Sequence, residues 1–241
     1  MKKISEGIVL GHLKYGDNKN IVHIYTRDEG RVSFMATIPK GNNKHKVIST
    51  LLPLSNVEIS YWDNGSDGMQ RITAIRLVKA YKSIHLDVVK GSMSLFIAEF
   101  LEKCLKHNTP DGDLYRYIEC SLEYFDNIDR YSNFHIEFLC GLSEHFGIQP
   151  GELDSHRHTN TMYWDFQEGL FVDVMPAHSN FLDSELSMTA CRFFIRSHTP
   201  DINLSRSERN KLLHALIKYF SIHLDGINKI NSLEVLQEVF A

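Results

Sequence analysis

The chain has 241 residues, is 43% hydrophobic and carries a formal net charge of −4, with 26 Lys and Arg against 30 Asp and Glu. That is enough apolar content for a sizeable core, in one large domain or two smaller ones, and it argues against disorder. No apolar run nears the roughly 20 residues that a membrane-crossing helix needs, and Met1-Lys2-Lys3-Ile4-Ser5-Glu6 leads straight into strand-like sequence without a signal-peptide core, so we expect a cytoplasmic protein with no membrane partner.

Five strand-like runs come first. Ile4 to Leu13 is the first, with Gly7 and Gly11 permitting bulges or the bending that closes a small barrel. Asn20 to Thr26 alternates into a second, and Arg27-Asp28-Glu29-Gly30 makes a turn in which Gly supplies the positive φ. Arg31 to Ile38 places Val32, Phe34, Ala36 and Ile38 on one face. Pro39 to Lys46 reads as a basic hairpin before a fourth strand, Ser55 to Tyr61, and a fifth, Gln70 to Lys79. Five antiparallel strands in about 75 residues suit a small closed barrel of the OB type, because closure removes exposed edges; an SH3-like barrel fits nearly as well.

From Asp87 the apolar period becomes helical. Helices are expected from Asp87 through Leu105 until Pro110 and Gly112 end the first, from Asp113 to Phe125, and from Tyr131 to Phe146, the last stopped by Gly147. Met162 to Phe166 and Leu170 to Val172 form a small inserted hairpin near 160–175. Helices resume from Ser184 to Arg196, from the capping box Ser205-Arg206-Ser207-Glu208 to about Leu224, and from Ser232 to Phe240. The fold class is therefore α+β, a β-barrel over residues 1–80 followed by a helical bundle over 81–241 with an inserted hairpin. Residues 1–80 hold 12 Lys and Arg against 7 Asp and Glu, whereas 81–241 hold 14 against 23, so the two parts face different partners electrostatically.

The basic segment is the strongest candidate for chemistry. Lys40, Lys44 and Lys46 sit beside Gly and Asn, where flexible cations can follow a phosphate backbone with strong salt dependence and little sequence preference. Lys14, Lys19, Arg27, Arg31, Arg71, Arg76 and Lys79 lie on the same expected barrel, which favours nucleic acid as partner. Tyr25, Phe34, Tyr61 and Trp62 are the aromatics available for stacking, with Phe34 and Tyr61 expected in the core. Asp111 and Asp113 flank a Gly before a helix and read as caps. Cys104, Cys120, Cys140 and Cys191 lie far apart and read as buried thiols; His156 and His158 have no third ligand at telling spacing, and no nucleophile elbow, Walker loop, dinucleotide fingerprint or zincin motif occurs. We therefore expect neither an enzyme nor a cofactor or metal, with a hydrolase built on the His156 region as a distant rival.

The run Gly7-Ile8-Val9-Leu10, then Tyr15-Gly16-Asp17, Ile21, Tyr25-Thr26, Gly30-Arg31, the Lys/Gly segment and Leu52-Pro53-Leu54 before Val57-Glu58-Ile59 resembles the N-terminal domain of the bacterial recombination mediator RecO. The helical remainder, including Phe146-Gly147 and Ser232-Leu233-Glu234-Val235-Leu236, is similar to the same family. The resemblance implies a DNA repair protein with an OB-fold and a helical domain that binds single- and double-stranded DNA, anneals complementary strands and, with RecR, loads RecA onto strands coated by single-stranded DNA-binding protein (SSB). Many family members carry a Cys₄ zinc site after the third helix. Residues 147–176 hold no cysteine, so a hairpin packed on Tyr163, Trp164 and Phe166 is expected in its place. The family also binds the acidic, Phe-ended SSB tail; by position Arg130, Arg116, Tyr117 and Phe134 are the candidates, with Arg192 and Arg196 as a competing edge. An alternative reading is a protein-interaction adaptor whose barrel binds a partner protein instead of DNA.

Overall fold

The computed structural model describes residues 1–41, 43–63, 65, 69–105, 108–151, 161–195 and 202–239. β1 (Lys2–Lys14) serves two neighbours: its first half pairs antiparallel with β4 (Asn56–Trp62) and its second with β2 (Lys19–Thr26), a register shift between Val9 and Gly11 marking the bend. Gly7 is required for a different reason than bending, since a Cβ there would collide with the Ile24 side chain. β3 (Gly30–Thr37) follows β2 antiparallel, and β5 (Gln70–Lys79) follows β4. A short parallel pairing of Phe34 and Met35 with Gln70 and Arg71 closes the barrel in the order β1-β2-β3-β5-β4, the five-stranded OB arrangement. Val9, Val22, Ile24, Val32, Phe34, Val57, Ile59 and Tyr61 fill its interior.

The expected basic hairpin is a correction: the segment leads into a helix, α1 (Asn43–Thr50). Val47, Ile48 and Leu51 recur at helical spacing, and the helix turns them onto the barrel core, where Leu51 is fully buried. A hairpin would leave all three in water, at about 1.5–3 kcal/mol for each side chain that would otherwise be fully buried. Lys44, His45 and Lys46 are thus exposed on a helix.

α2 (Val88–Cys104) and α3 (Gly112–Asn127) follow, each opened by an aspartate cap: Asp87 accepts from the backbone N–H of Val89 and Lys90, and Asp111 from that of Leu114. The link between barrel and helices is held by buried charge. Lys90, 3% exposed, donates to the carbonyl oxygens of Phe125 (2.7 Å) and Ile128 (2.9 Å) and to Ser83 Oγ (2.8 Å), satisfying acceptors that the end of α3 leaves open. The Asp126 carboxylate accepts from the backbone N–H groups of Lys82, Ser83 and Ile84. Burial alone would raise the Asp126 pKa, but these donors outweigh it and hold the carboxyl below its usual range.

Packing divides the chain into one unit of residues 1–129 and 230–239 and another of 130–229. The first is completed from afar by α7 (Ser232–Val239), which packs on α2; the Glu99 carboxylate accepts from the N–H groups of Asn231 and Ser232 and from Ser232 Oγ at the start of that helix. The second holds α4 (Phe134–His145), α5 (Ser184–Ile195) and α6 (Arg206–His223), the last opened by the expected Ser205/Glu208 capping box. Its inserted hairpin, β6 (Tyr163–Asp165) and β7 (Leu170–Val172), gains a third strand, β8 (Phe181–Leu182). Trp164 is fully buried against Phe166, Phe171, Phe194 and Tyr219, with ring centroids 4.7–5.9 Å apart, and Tyr163 meets Phe181 edge-on. Three cysteines are buried as expected, but Cys120 is exposed on α3.

Replacing Asp126 with Asn should cost about 2 kcal/mol or more, since three N–H groups lose a charged acceptor. The folded-state pKa of Asp126 lies below the unfolded one, so its contribution is complete above the unfolded value near about 4 and is lost as pH falls through the folded value. Denaturant titrations at neutral and acid pH should show the Asn variant to be less stable at pH 7 and closer to the parent at the acid end.

Candidate nucleic-acid interface

Cross-strand pairing arranges the outer face of the barrel into rows. Glu6 on β1 stands opposite Glu58 on β4, which stands opposite Arg76 on β5. Two carboxylates directly opposed repel. Arg76 answers with a two-pronged pair to Glu58, both contacts at 2.7 Å, and Arg27 reaches Glu6 at 3.1 Å. Arg27 also contacts Glu119 of α3 at 3.4 Å and lies over the Tyr115 ring, 5.0 Å from its centroid, while Lys79 pairs with Glu123 of the same helix. Three of the candidate cations are therefore engaged by protein carboxylates. Part of the charge contrast between barrel and helices is used within one unit, where α3 carboxylates meet barrel cations.

The β2–β3 turn is pinned in the same region. A Cβ on Gly30, whose φ is +70°, would run into the Thr109 backbone; the Asn108 N–H donates to the Arg31 carbonyl (3.1 Å), and the Tyr25 hydroxyl donates to the Asp111 carbonyl (3.2 Å). Arg31 is half-buried beside this contact, with its Nε enclosed.

A different population of cations collects at the other end of β2 and β3. The Tyr15 N–H donates to the Lys19 carbonyl and the Ile38 N–H to the Asn18 carbonyl, both at 2.8 Å, so Lys14, Lys19 and the stretch running to Lys40 meet at one rim. The Lys44 N–H donates to the Gly41 carbonyl, which starts α1 from that rim, and His12 at the Leu51 carbonyl ties the far end of α1 back to β1. Lys14, Lys19, Lys40, Lys44 and Lys46 are all exposed. Among the described residues no carboxylate pairs with any of them, nor with Arg71. Uncompensated cations on a rim and helix of this kind suit phosphate oxygens.

Of the four aromatics singled out, Tyr25, Phe34 and Tyr61 are core. Trp62 is 53% exposed at the outer end of β4, opposite Lys2 on one side and Arg71 on the other. Lys2 escapes a sequence reading that begins the first strand at Ile4; carrying the strand two residues further brings it into register with Trp62. Tyr15, also exposed, sits on the β1–β2 turn between Lys14 and Lys19, and its position in a turn beside two lysines was the available signal.

The residues named for an acidic tail are divided between the units. Arg116 and Tyr117 lie on α3, exposed and half-buried, while Arg130 is exposed ahead of α4 and Phe134 is buried at 3%, its ring 6.0 Å from that of Phe138. Arg192 is exposed on α5; Arg196, His156 and His158 lie outside the described residues. Among the described residues no three His, Cys, Asp or Glu side chains gather as a metal group, and no helix is long and apolar enough to cross a membrane.

Two family models match the chain, Recombination protein O N terminal over residues 1–81 and Recombination protein O C terminal over residues 85–234. The chain is 33% identical to a DNA repair protein RecO of Phocaeicola vulgatus over 98% of each chain. It is 32% identical to that of Azobacteroides pseudotrichonymphae, again over 98% of each, and 30% identical to that of Bacteroides fragilis over 97% of each.

The chain has two tryptophans, one half in water and one with no exposed surface. Iodide or acrylamide should therefore quench its emission in two components, and Trp62→Phe should abolish the accessible one while leaving the protected Trp164 component in place. A single uniformly quenched component would contradict the described positions of both rings.

Proposed function

The chain belongs to the RecO family of DNA repair proteins, and from that membership we propose that it is a non-catalytic recombination mediator of the cytoplasm, associated with the nucleoid, that binds and anneals DNA through its barrel and helps load RecA, together with RecR, onto SSB-coated single strands. The observation that supports this reading is the gathering of uncompensated cations at the β1–β2 turn, Lys40 and α1. Annealing requires no reacting group. It requires cations that offset the repulsion between two phosphate backbones while the bases find their complements, and a rim of lysines with no carboxylate partner among the described residues does that for whichever strand arrives. In this proposal residues 1–80 form the DNA-binding part and residues 81–241 hold protein partners.

Within the candidate set the reading separates two kinds of cation. Lys14, Lys19, Lys40, Lys44, Lys46 and Arg71 are the proposed phosphate contacts. Arg27, Arg76 and Lys79 hold the barrel to its own carboxylates and to α3, and Arg31 supports the β2–β3 turn. RecR is the proposed partner of the barrel, by family membership alone.

For the SSB tail, Arg130 is the proposed cation of the second unit, with Phe134 beneath it as core; Arg116 and Tyr117 are the corresponding residues of the first. A second location has its own support. On α5, Met188, Arg192 and Ile195 are exposed at spacings of four and three residues, so one helix face offers two apolar side chains around a cation, which suits an acidic peptide ending in an aromatic.

Two outcomes are expected. The triple variant Lys40→Ala, Lys44→Ala, Lys46→Ala should bind single-stranded DNA with a salt dependence reduced by about 2 to 3 on a log–log plot, whereas removing the Arg76–Glu58 pair as a unit should leave the slope within about 0.5 of the parent. An unchanged slope in the folded triple variant would remove α1 and Lys40 from the interface, and no DNA binding at low salt would move the function to a protein-interaction adaptor. Separately, a peptide copying an acidic, Phe-ended tail should lose about tenfold or more in affinity on Arg130→Ala; loss on Arg192→Ala alone would place the tail on α5.

A further inference from the structure

The row that contains Trp62 runs most of the way round the barrel. Lys2 on β1 is opposite Trp62 on β4, Trp62 is opposite Arg71 on β5, Arg71 is opposite Met35 on β3, Met35 is opposite Ile21 on β2, and Ile21 is opposite Leu13 back on β1. Directly opposed residues share a face and stand about 5 Å apart. The alternation confirms which face it is. Tyr61, Ile72 and Phe34, each one position along from a member of the row, are buried, whereas Lys2, Trp62, Arg71 and Leu13 are exposed and Met35 and Ile21 are half-buried.

This row differs from the one four residues away along β4, where Glu6, Glu58 and Arg76 neutralise one another. Here there is no acid. Among the described residues Lys2 and Arg71 have no carboxylate partner, and the Trp62 ring has no ring or cation neighbour of its own. An indole held in water between two uncompensated cations is costly to leave bare, and the ligand that answers both features is a base whose own phosphates lie on either side of it. The half-exposed Met35 and Ile21 continue the apolar floor from Arg71 toward Lys19, which projects from β2 on the same face two residues from Ile21. The row thus connects Trp62 to the lysine rim.

We propose that Trp62, flanked by Lys2 and Arg71, is a base-stacking platform that makes the barrel select unpaired strands over duplex. The inference rests on the DNA-binding reading above and adds strand preference to it. In a duplex every base face is covered by its neighbours, so the indole gains nothing from it; an unpaired base offers a free face, whatever its identity. The rim lysines meet phosphates of either form and supply affinity without preference. Preference between strands comes from the ring.

The test uses the full chain with a fluorescent oligo(dT) and a mixed-sequence duplex of the same length, at one low and one moderate salt concentration. Trp62→Ala should weaken oligo(dT) binding by between about 5-fold and 150-fold, change duplex binding less than twofold and leave the salt slope of oligo(dT) binding unchanged, while Trp62→Phe recovers most of the loss. Half of the indole is in water, so each variant should still melt in one cooperative transition, which excludes a folding defect. A second readout does not depend on affinity: oligo(dT) should quench the parent's tryptophan emission but not that of Trp62→Phe, whose remaining indole, Trp164, is buried. Unchanged oligo(dT) affinity in Trp62→Ala, equal losses on both DNA forms, or emission indifferent to oligo(dT) would each overturn the platform and leave the DNA-binding reading standing. A parent protein that binds neither form at low salt would overturn that reading and the platform with it.

Discussion

The buried ammonium of Lys90 and the buried carboxylate of Asp126 fix how the barrel continues into its helices. Lys90 fills the open carbonyl end of α3, Asp126 gathers the N–H groups of the segment leaving β5, and each removes a set of main-chain groups that burial would otherwise leave unmet. The arrangement sets the end of α3 against the end of β5. With α3 so placed, Glu119 and Glu123 come within reach of Arg27 and Lys79, and those cations are taken up. The lysines at the other rim of the barrel have no carboxylate partner among the described residues. A packing constraint at residues 82–90 thereby decides which cations remain for an outside partner.

The alternation of the five strands was readable because each buries one face against a common interior, and a period of two leaves few competing arrangements. Gly30 and the caps at Asp87, Asp111 and Ser205 were readable for a similar reason, being local rules satisfied locally. Where the sequence misled, the deciding contact was distant. Lys40 to Lys46 carries Gly and Asn and reads as a turn, but the open end of the barrel needs a plug, and Val47, Ile48 and Leu51 supply it only as a helix. Lys2 was invisible as a surface residue because nothing near it in the chain announces a β4 partner. Ion pairing was hidden throughout: Arg76 and Lys46 look alike in sequence, and only the placement of Glu58 separates them.

The inserted strands of the second unit are held in place by apolar contact. Trp164 is enclosed by four aromatic rings, and its backbone N–H donates to Ser187 Oγ on α5 (2.9 Å). His223 of α6 reaches the Phe166 carbonyl at 2.7 Å, so the small sheet is bonded to two helices as well as packed on them. A three-stranded sheet of this size would not stand by itself in water. It is held by a dense aromatic contact, and the match between ring shapes does the work that cross-linking would do in a looser insertion.

Because α7 packs on α2, the first unit draws on both extremes of the sequence. During synthesis the barrel, α2 and α3 leave the ribosome long before residues 230–239, and about a hundred intervening residues must emerge first. Until then the face of α2 that α7 covers stays open and can be met by a chaperone or by a neighbouring nascent chain. Any truncation or fusion that keeps residues 230–239 from docking would damage the unit formed with residues 1–129, however intact the rest of its sequence. Residues 230–239 thus act as the closing piece of a unit that is otherwise built from residues 1–129.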